Sequence, residues 1–147
     1  VRSILLVEGD NETRRTIGDQ LAELFPEARV LMTESGETGL ELARRTWPSV
    51  VLLDLTLHGM GAFEFTARLR RLASGASVPI VGLAEAVRAA GRMRSPAEHA
   101  RGEPENPDGA SDALLRAEAA GLVGCLRKPV ERTHLSTLLR PLLDRPR

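Results

Sequence analysis

Five short, nearly unbroken apolar runs set the limits on what this chain can fold into. Ser3 to Val7, Ala28 to Met32, Val50 to Asp54, Val78 to Leu83 and Leu122 to Arg127 are each five or six residues long. That length suits a strand, and the lack of polar alternation suits a strand covered on both faces. Between the runs, apolar residues return at helical spacing: Ile17, Leu21, Leu24 and Phe25; then Leu40, Ala43 and Trp47; then Phe65, Leu69 and Leu72. Leu114, Leu115 and Ala119 mark a fourth helix, and Leu135, Leu138, Leu139 and Leu142 a last one. Strand and helix alternate throughout, which predicts an α/β fold: one doubly wound, five-stranded parallel sheet with helices on both faces. Asp10 or Asn11 is expected to cap the first helix and Ser35 the second, with Pro48 ending it. Gly121 is expected to stop the fourth helix. Pro141 is expected to kink or terminate the last.

One stretch breaks the rhythm. From about 85 to 109 the chain reads EAVRAAGRMRSPAEHARGEPENPDG. Ala86 to Met93 suits a short helix, but Ser95 to Gly109 is Pro-, Gly- and charge-rich with no apolar face to bury. A connection this long is unusual in an α/β domain. It reads either as an inserted flexible segment or as a lid or docking loop on the crevice side. Otherwise 1–147 is expected to form one domain.

Twenty basic residues balance twenty acidic ones. Zero net charge predicts no pull toward nucleic acid or an anionic membrane. No apolar stretch reaches membrane-spanning length, and no signal-peptide pattern opens the chain. The single cysteine permits no internal disulfide, in keeping with a reducing cytoplasm. The chain opens on Val1 rather than methionine, as a trimmed chain or an excised domain would.

Of the twenty basic residues nineteen are arginine, so the one lysine, Lys128, stands out. Lysine is a compact point charge on a flexible stem and arginine a planar fork, so a site that sets one small cation beside one oxyanion calls for lysine. Asp54 closes the third apolar run and Lys128 follows the fifth. The carboxyl ends of parallel strands line the binding crevice of such sheets, which predicts that the two meet there.

Four segments in order resemble the receiver domain of bacterial two-component response regulators: ILLVEGDNETRR, PSVVLLDLTLHGMGAFEFTARLR, VPIVGLAEA and AGLVGCLRKPV. The resemblance covers the chain apart from the insertion after Glu85. It implies a signalling module in which a histidine kinase, a phosphotransfer protein or a small donor passes a phosphoryl group to Asp54, with Lys128 pairing with the phosphoryl oxygens. It implies Mg²⁺ held by Glu8, Asp54 and the Thr56 backbone carbonyl. The chemistry suits these residue types, because phosphoryl transfer asks for charge neutralisation and positioning, and Mg²⁺ takes few carboxylates and several waters. Partners expected from the resemblance are the kinase or phosphotransfer protein and an output protein or domain; pairing with a second copy of the chain is left open, because the insertion enters next to the surface through which the family often dimerises. No enzyme activity is expected beyond self-phosphorylation from a phosphodonor and autodephosphorylation.

Departures from the family pattern carry equal weight. Gly9 stands where the family has a metal-ligating aspartate, so Mg²⁺ binding is expected to be weakened. Asp10, one residue on, is a candidate replacement ligand and a better helix cap. Ala84 stands where the family has a hydroxyl that binds the phosphoryl group. Cys125 stands where the family often has an aromatic switch residue, and it reads as a small buried hydrophobe. His58 and Gly61-Ala62 replace the usual residues after the acceptor. With Gly9, the expected core is Glu8, Asp54 and Lys128, joined by a standing ion pair. Two functions remain open: a phosphorylatable receiver, and a phosphorylation-independent pseudo-receiver that acts as a protein–protein interaction module. A small enzyme or ligand binder is a third class, with no nucleophile–base pair or cofactor fingerprint behind it. His99, His134 and Cys125 lack metal-ligand spacing, and no zinc site is expected. Arg68, Arg70 and Arg71 read as a solvated face.

Overall fold

In the computed structural model, which describes residues 2–72, 77–85 and 121–145, the apolar runs become five parallel strands in the order β2-β1-β3-β4-β5. They are β1 (Ser3–Val7), β2 (Arg29–Thr33), β3 (Val50–Asp54), β4 (Ile80–Ala84) and β5 (Gly124–Arg127). The described helices are α1 (Asn11–Leu24), α2 (Gly36–Thr46), α3 (Ala62–Arg71) and α4 (Arg132–Leu143). The expected fourth helix at 114–119 and the 85–109 insertion past Glu85 lie outside the described residues. Among the described residues, no helix is long and apolar enough to cross a membrane.

Each strand shares its side chains between two cores, as the period of two requires. Ile4, Leu6, Val50, Leu52, Val81 and Leu83 join Ile17 and Leu21 of α1 with Leu135, Leu139 and Leu143 of α4. Leu5, Val7, Val51, Leu53 and Ile80 join Ala43 of α2 with Phe65 and Leu69 of α3. All five residues of β1, β3 and β4 are buried, which is why their sequences show no polar alternation. Gly39 lets α2 approach closely, because a Cβ there would lie 3.0 Å from Val7 and 3.1 Å from Phe65.

The strand limits differ from the sequence expectation wherever an apolar residue packs without joining the ladder. β2 runs Arg29–Thr33 rather than 28–32, because Ser3 pairs with Arg29 and Val7 with Thr33. Val78 and Leu122 are buried, but β4 starts only at Ile80 and β5 at Gly124. Asp10 is the N-cap of α1, accepting from the Thr13 amide, and Ser35 caps α2 through the Thr38 amide. Trp47 was expected on the face of α2; it forms the C-cap in a left-handed conformation (φ 46°) directly before Pro48. Pro141 neither breaks nor ends α4, which runs on to Leu143. It lies on the exposed side of the last turn, while Leu139 and Leu143 bury the other side.

α1 and α4 are tied across one face of the sheet. The Gln20 amide donates to the Val130 carbonyl at 3.0 Å. Glu23 pairs with Arg132, and the Arg140 guanidinium lies 5.0 Å from the centre of the Phe25 ring.

Candidate functional site

The strand order reverses between β1 and β3, the point at which sheets of this kind form their crevice, at the carboxyl ends of the strands. The chain feeds charged groups into it from three exits: Glu8 follows β1, Asp54 ends β3 and Lys128 follows β5. Backbone pairing fixes each exit. The Glu8 amide donates to Thr33, the Leu55 amide to Leu83 and the Lys128 amide to Ala84, all within 3.0 Å. The Lys128–Pro129 peptide is cis.

Asp54 is 3% exposed. Its Oδ1 accepts from the Thr56 amide at 2.9 Å, the Thr56 hydroxyl at 2.7 Å and Lys128 Nζ at 3.1 Å. Its Oδ2 accepts from the Gly9 amide at 3.2 Å. Burial opposes the charged form, but the Thr56 donors, Lys128 and the Gly9 amide outweigh it, and the carboxyl is held below its ordinary value.

Glu8 is fully buried. Its Oε2 accepts from the Asp10 amide at 3.0 Å. Its Oε1 lies 2.9 Å from Lys128 Nζ, in a direction that makes an ion pair without a directed hydrogen bond. Burial raises its pKa, and the Asp10 amide and Lys128 offset that only in part; the charge of Asp54 adds to the rise. For Lys128 burial works the other way, yet Glu8 and Asp54 together hold its pKa above the ordinary value.

The expected trio of Glu8, Asp54 and Lys128 is therefore assembled, as a buried triad with its ion pairs already made. The structure adds a member that sequence reasoning missed: Glu85 Oε2 lies 3.6 Å from Lys128 Nζ. Its place directly after β4, at a strand's carboxyl end, was the available signal, but it read as the start of the insertion.

The other predicted positions sort themselves by geometry. A Cβ on Gly9 would lie 3.6 Å from Asp54 Oδ2, so a side chain at this position would point at the site. The Asp10 carboxylate is occupied in capping, accepting from the Thr13 amide at 2.8 Å and hydroxyl at 2.7 Å. Ala84 is buried and brings no hydroxyl. Cys125 is half-buried at the edge of the α2/α3-side core rather than fully buried. His58 is exposed, His134 lies beside Glu131, and His99 is outside the described residues. Arg70, expected on a solvated face with Arg68 and Arg71, instead donates to the Val78 carbonyl at 2.7 Å.

As a donor set for Mg²⁺ these residues are thin. Glu8 and Asp54 are both already paired with Lys128. Among the described residues no group of three or more acidic, His or Cys side chains is placed to hold a metal ion. Because Mg²⁺ works with one or two carboxylates and several waters, the set fits a weak site rather than a dedicated one.

The sequence model of the response regulator receiver domain matches residues 4–96. The transcriptional regulatory protein AfsQ1 of Streptomyces coelicolor is 38% identical over 69 residues, which are 47% of this chain and 30% of that protein. The match thus spans less than a third of that relative. Among solved structures, the signal receiver domain of a DNA-binding response regulator from Colwellia psychrerythraea superposes with a TM-score of 0.74 at 23% identity, over 99% of this chain and 100% of that one. The receiver domain of a sensor histidine kinase from Pseudomonas aeruginosa, described with a magnesium ion in its active-site cleft, superposes with a TM-score of 0.73 at 24% identity, over 98% of each chain. These likenesses show the fold, and the sequence model spans more than half the chain. By that match, this chain belongs to the response regulator receiver domain family of two-component signalling.

Proposed function

We propose that this domain receives a phosphoryl group on Asp54, from a histidine kinase, a phosphotransfer protein or a small phosphodonor. One observation carries the reading: an aspartate kept ionised at the end of the central strand, 3.1 Å from the chain's only lysine. Oδ1 already accepts three hydrogen bonds, whereas Oδ2 accepts one, from Gly9. Oδ2 is thus the nucleophilic oxygen. It attacks phosphorus and forms the O–P bond, while the bond from phosphorus to the donor breaks and its electron pair leaves with the donor. Lys128 turns from Asp54 toward the phosphoryl oxygens, and Thr56 keeps Oδ1 oriented. Mg²⁺ would be held by Glu8, Asp54 and the Thr56 carbonyl, and would neutralise charge on the transferring group.

A second reading, a phosphorylation-independent interaction module, is favoured by the closed triad and by Gly9, Ala84 and Cys125, which together thin the metal site and remove the readout. Either module acts through protein partners: a kinase or phosphotransfer protein, an output protein or domain, or a second copy. Intact-mass measurement after incubation with acetyl phosphate and Mg²⁺ separates the two readings. A labile phosphoryl adduct on the parent and none on Asp54→Ala is the expected result. Absence of an adduct from folded parent protein leaves the interaction module.

A further inference from the structure

Lys128 Nζ has three carboxylate neighbours, and they are not alike. Glu8 and Asp54 approach to 2.9 and 3.1 Å with side chains only 1% and 4% exposed. Both are further fixed by backbone amides, of Asp10 for Glu8 and of Gly9 and Thr56 for Asp54. Glu85 approaches to 3.6 Å with its side chain 61% exposed. Among the described residues it has no other ion pair. An ammonium carries three donors. Asp54 takes one of them in a directed hydrogen bond and Glu8 pairs with the ammonium by charge, both as buried side chains, so an anion arriving from solvent meets Lys128 beside Glu85, its one exposed carboxylate neighbour among the described residues.

We propose that Glu85 is an electrostatic gate on Lys128 that keeps small free dianions, such as inorganic phosphate, off the lysine; this rests on reading Lys128 as the phosphoryl partner. Among the described residues three carboxylates surround one ammonium, a local excess of negative charge that repels a tetrahedral dianion. Ala84 offers no hydroxyl to compensate, so anion capture depends on Lys128, and Glu85 sets its availability. The gate is held in place through the backbone, because the Lys128 amide donates to the carbonyl of Ala84, the residue before it, at 2.9 Å. It opens by side-chain rotation alone, since the Glu85 carboxylate is largely in water. A donor that brings its own cation to the mouth draws Glu85 aside, and a small free anion does not.

The chain supplies its own probe, because selective ¹⁵N-lysine labelling reports on a single residue. Inorganic phosphate is titrated, without Mg²⁺, into the parent, Glu85→Gln and Glu27→Gln, the last removing one exposed charge far from the crevice. The Lys128 resonance is followed in each, and the parent-like spectrum of each variant confirms its fold. Glu85→Gln is expected to bind phosphate roughly threefold to tenfold more tightly than the parent, as loss of one solvent-screened charge at this distance implies. Glu27→Gln is expected to match the parent. Equal response of Glu85→Gln and parent, including no shift in either, overturns the gate; so does an equal gain in Glu27→Gln. Acetyl phosphate labelling of the same proteins, with Mg²⁺ present, keeps the two ideas apart. Tighter phosphate binding without any labelling leaves the gate standing and removes Asp54 as acceptor. Labelling with unchanged phosphate affinity removes the gate alone.

Discussion

Replacing Lys128 with methionine removes the one cation between two buried carboxylates while keeping the stem's bulk. Asp54 retains the Thr56 amide, the Thr56 hydroxyl and the Gly9 amide, and stays charged. Glu8 retains only the Asp10 amide at full burial, and the variant relieves it by taking up a proton. The cost then follows from linkage. An unfolded glutamate ionises around its ordinary value of 4.5. Holding it neutral in the folded state at pH 7 spans about 2.5 pH units at about 1.36 kcal/mol each, roughly 3.4 kcal/mol. That lies within the range of about 3–5 kcal/mol for breaking a buried ion pair from one side. At pH 5 the same sum leaves about 0.7 kcal/mol. The sign is that of a raised pKa: stability is full below the unfolded value and is lost as pH rises toward the folded one. The parent carries part of this slope already, because Glu8 is raised there too. Urea unfolding of parent and Lys128→Met in metal-free buffer at pH 5, 6 and 7 measures it. The expected difference is about 2–3 kcal/mol at pH 7, shrinking below about 1 kcal/mol at pH 5. A difference that stays flat with pH, or is under about 1 kcal/mol at pH 7, would refute protonation of Glu8 as the relief.

Gly9→Asp adds a carboxylate whose Cβ would start 3.6 Å from Asp54 Oδ2. It is expected to lower the melting temperature without metal and to raise the Mg²⁺-induced thermal shift well above the parent's, by mass action. Asp10→Ala removes the α1 cap and is expected to lower the melting temperature while leaving the Mg²⁺ response unchanged; a lost Mg²⁺ response would make Asp10 a ligand. Leu139→Ala, at a fully buried position where α4 meets the sheet, is expected to cost about 2–5 kcal/mol in urea unfolding. A cost below about 1 kcal/mol would mean that α4 is loosely docked.

Much of the fold was readable because parallel strands buried on both faces leave an unmistakable trace, as in Ser3–Val7 and Val50–Asp54. Their limits were less readable. Thr33 belongs to β2 because it pairs with Val7, a fact of register that no single segment encodes. Leu122 and Val123 extend an apolar run, yet the first is buried outside the ladder and the second is 48% exposed. Pro141 has the chemistry of a helix breaker, but burial of Leu139 and Leu143 carries α4 past it. In the site, Asp54, Lys128 and Glu8 were legible as charges placed directly after apolar strands. Glu85 occupies the same kind of position and was hidden by the polar stretch it introduces. That Asp10 is spent on Thr13 rather than turned to the crevice was settled by the start of α1, where an unpaired amide competes for the same oxygen.

α1 also works as a caliper. Near its start, the Arg14 guanidinium holds the Glu8 carbonyl at 2.9 Å, on one side of the ion pair. Gln20 holds the Val130 carbonyl, two residues beyond Lys128, on the other. The jaws are six residues apart on one rigid helix, about 9 Å along its axis. The gap between the β1 and β5 exits is therefore gauged by a helix whose outer side faces water. Tilting that helix would change the spacing of Glu8 and Lys128 without anything entering the crevice, and moving Lys128 would load the helix in return.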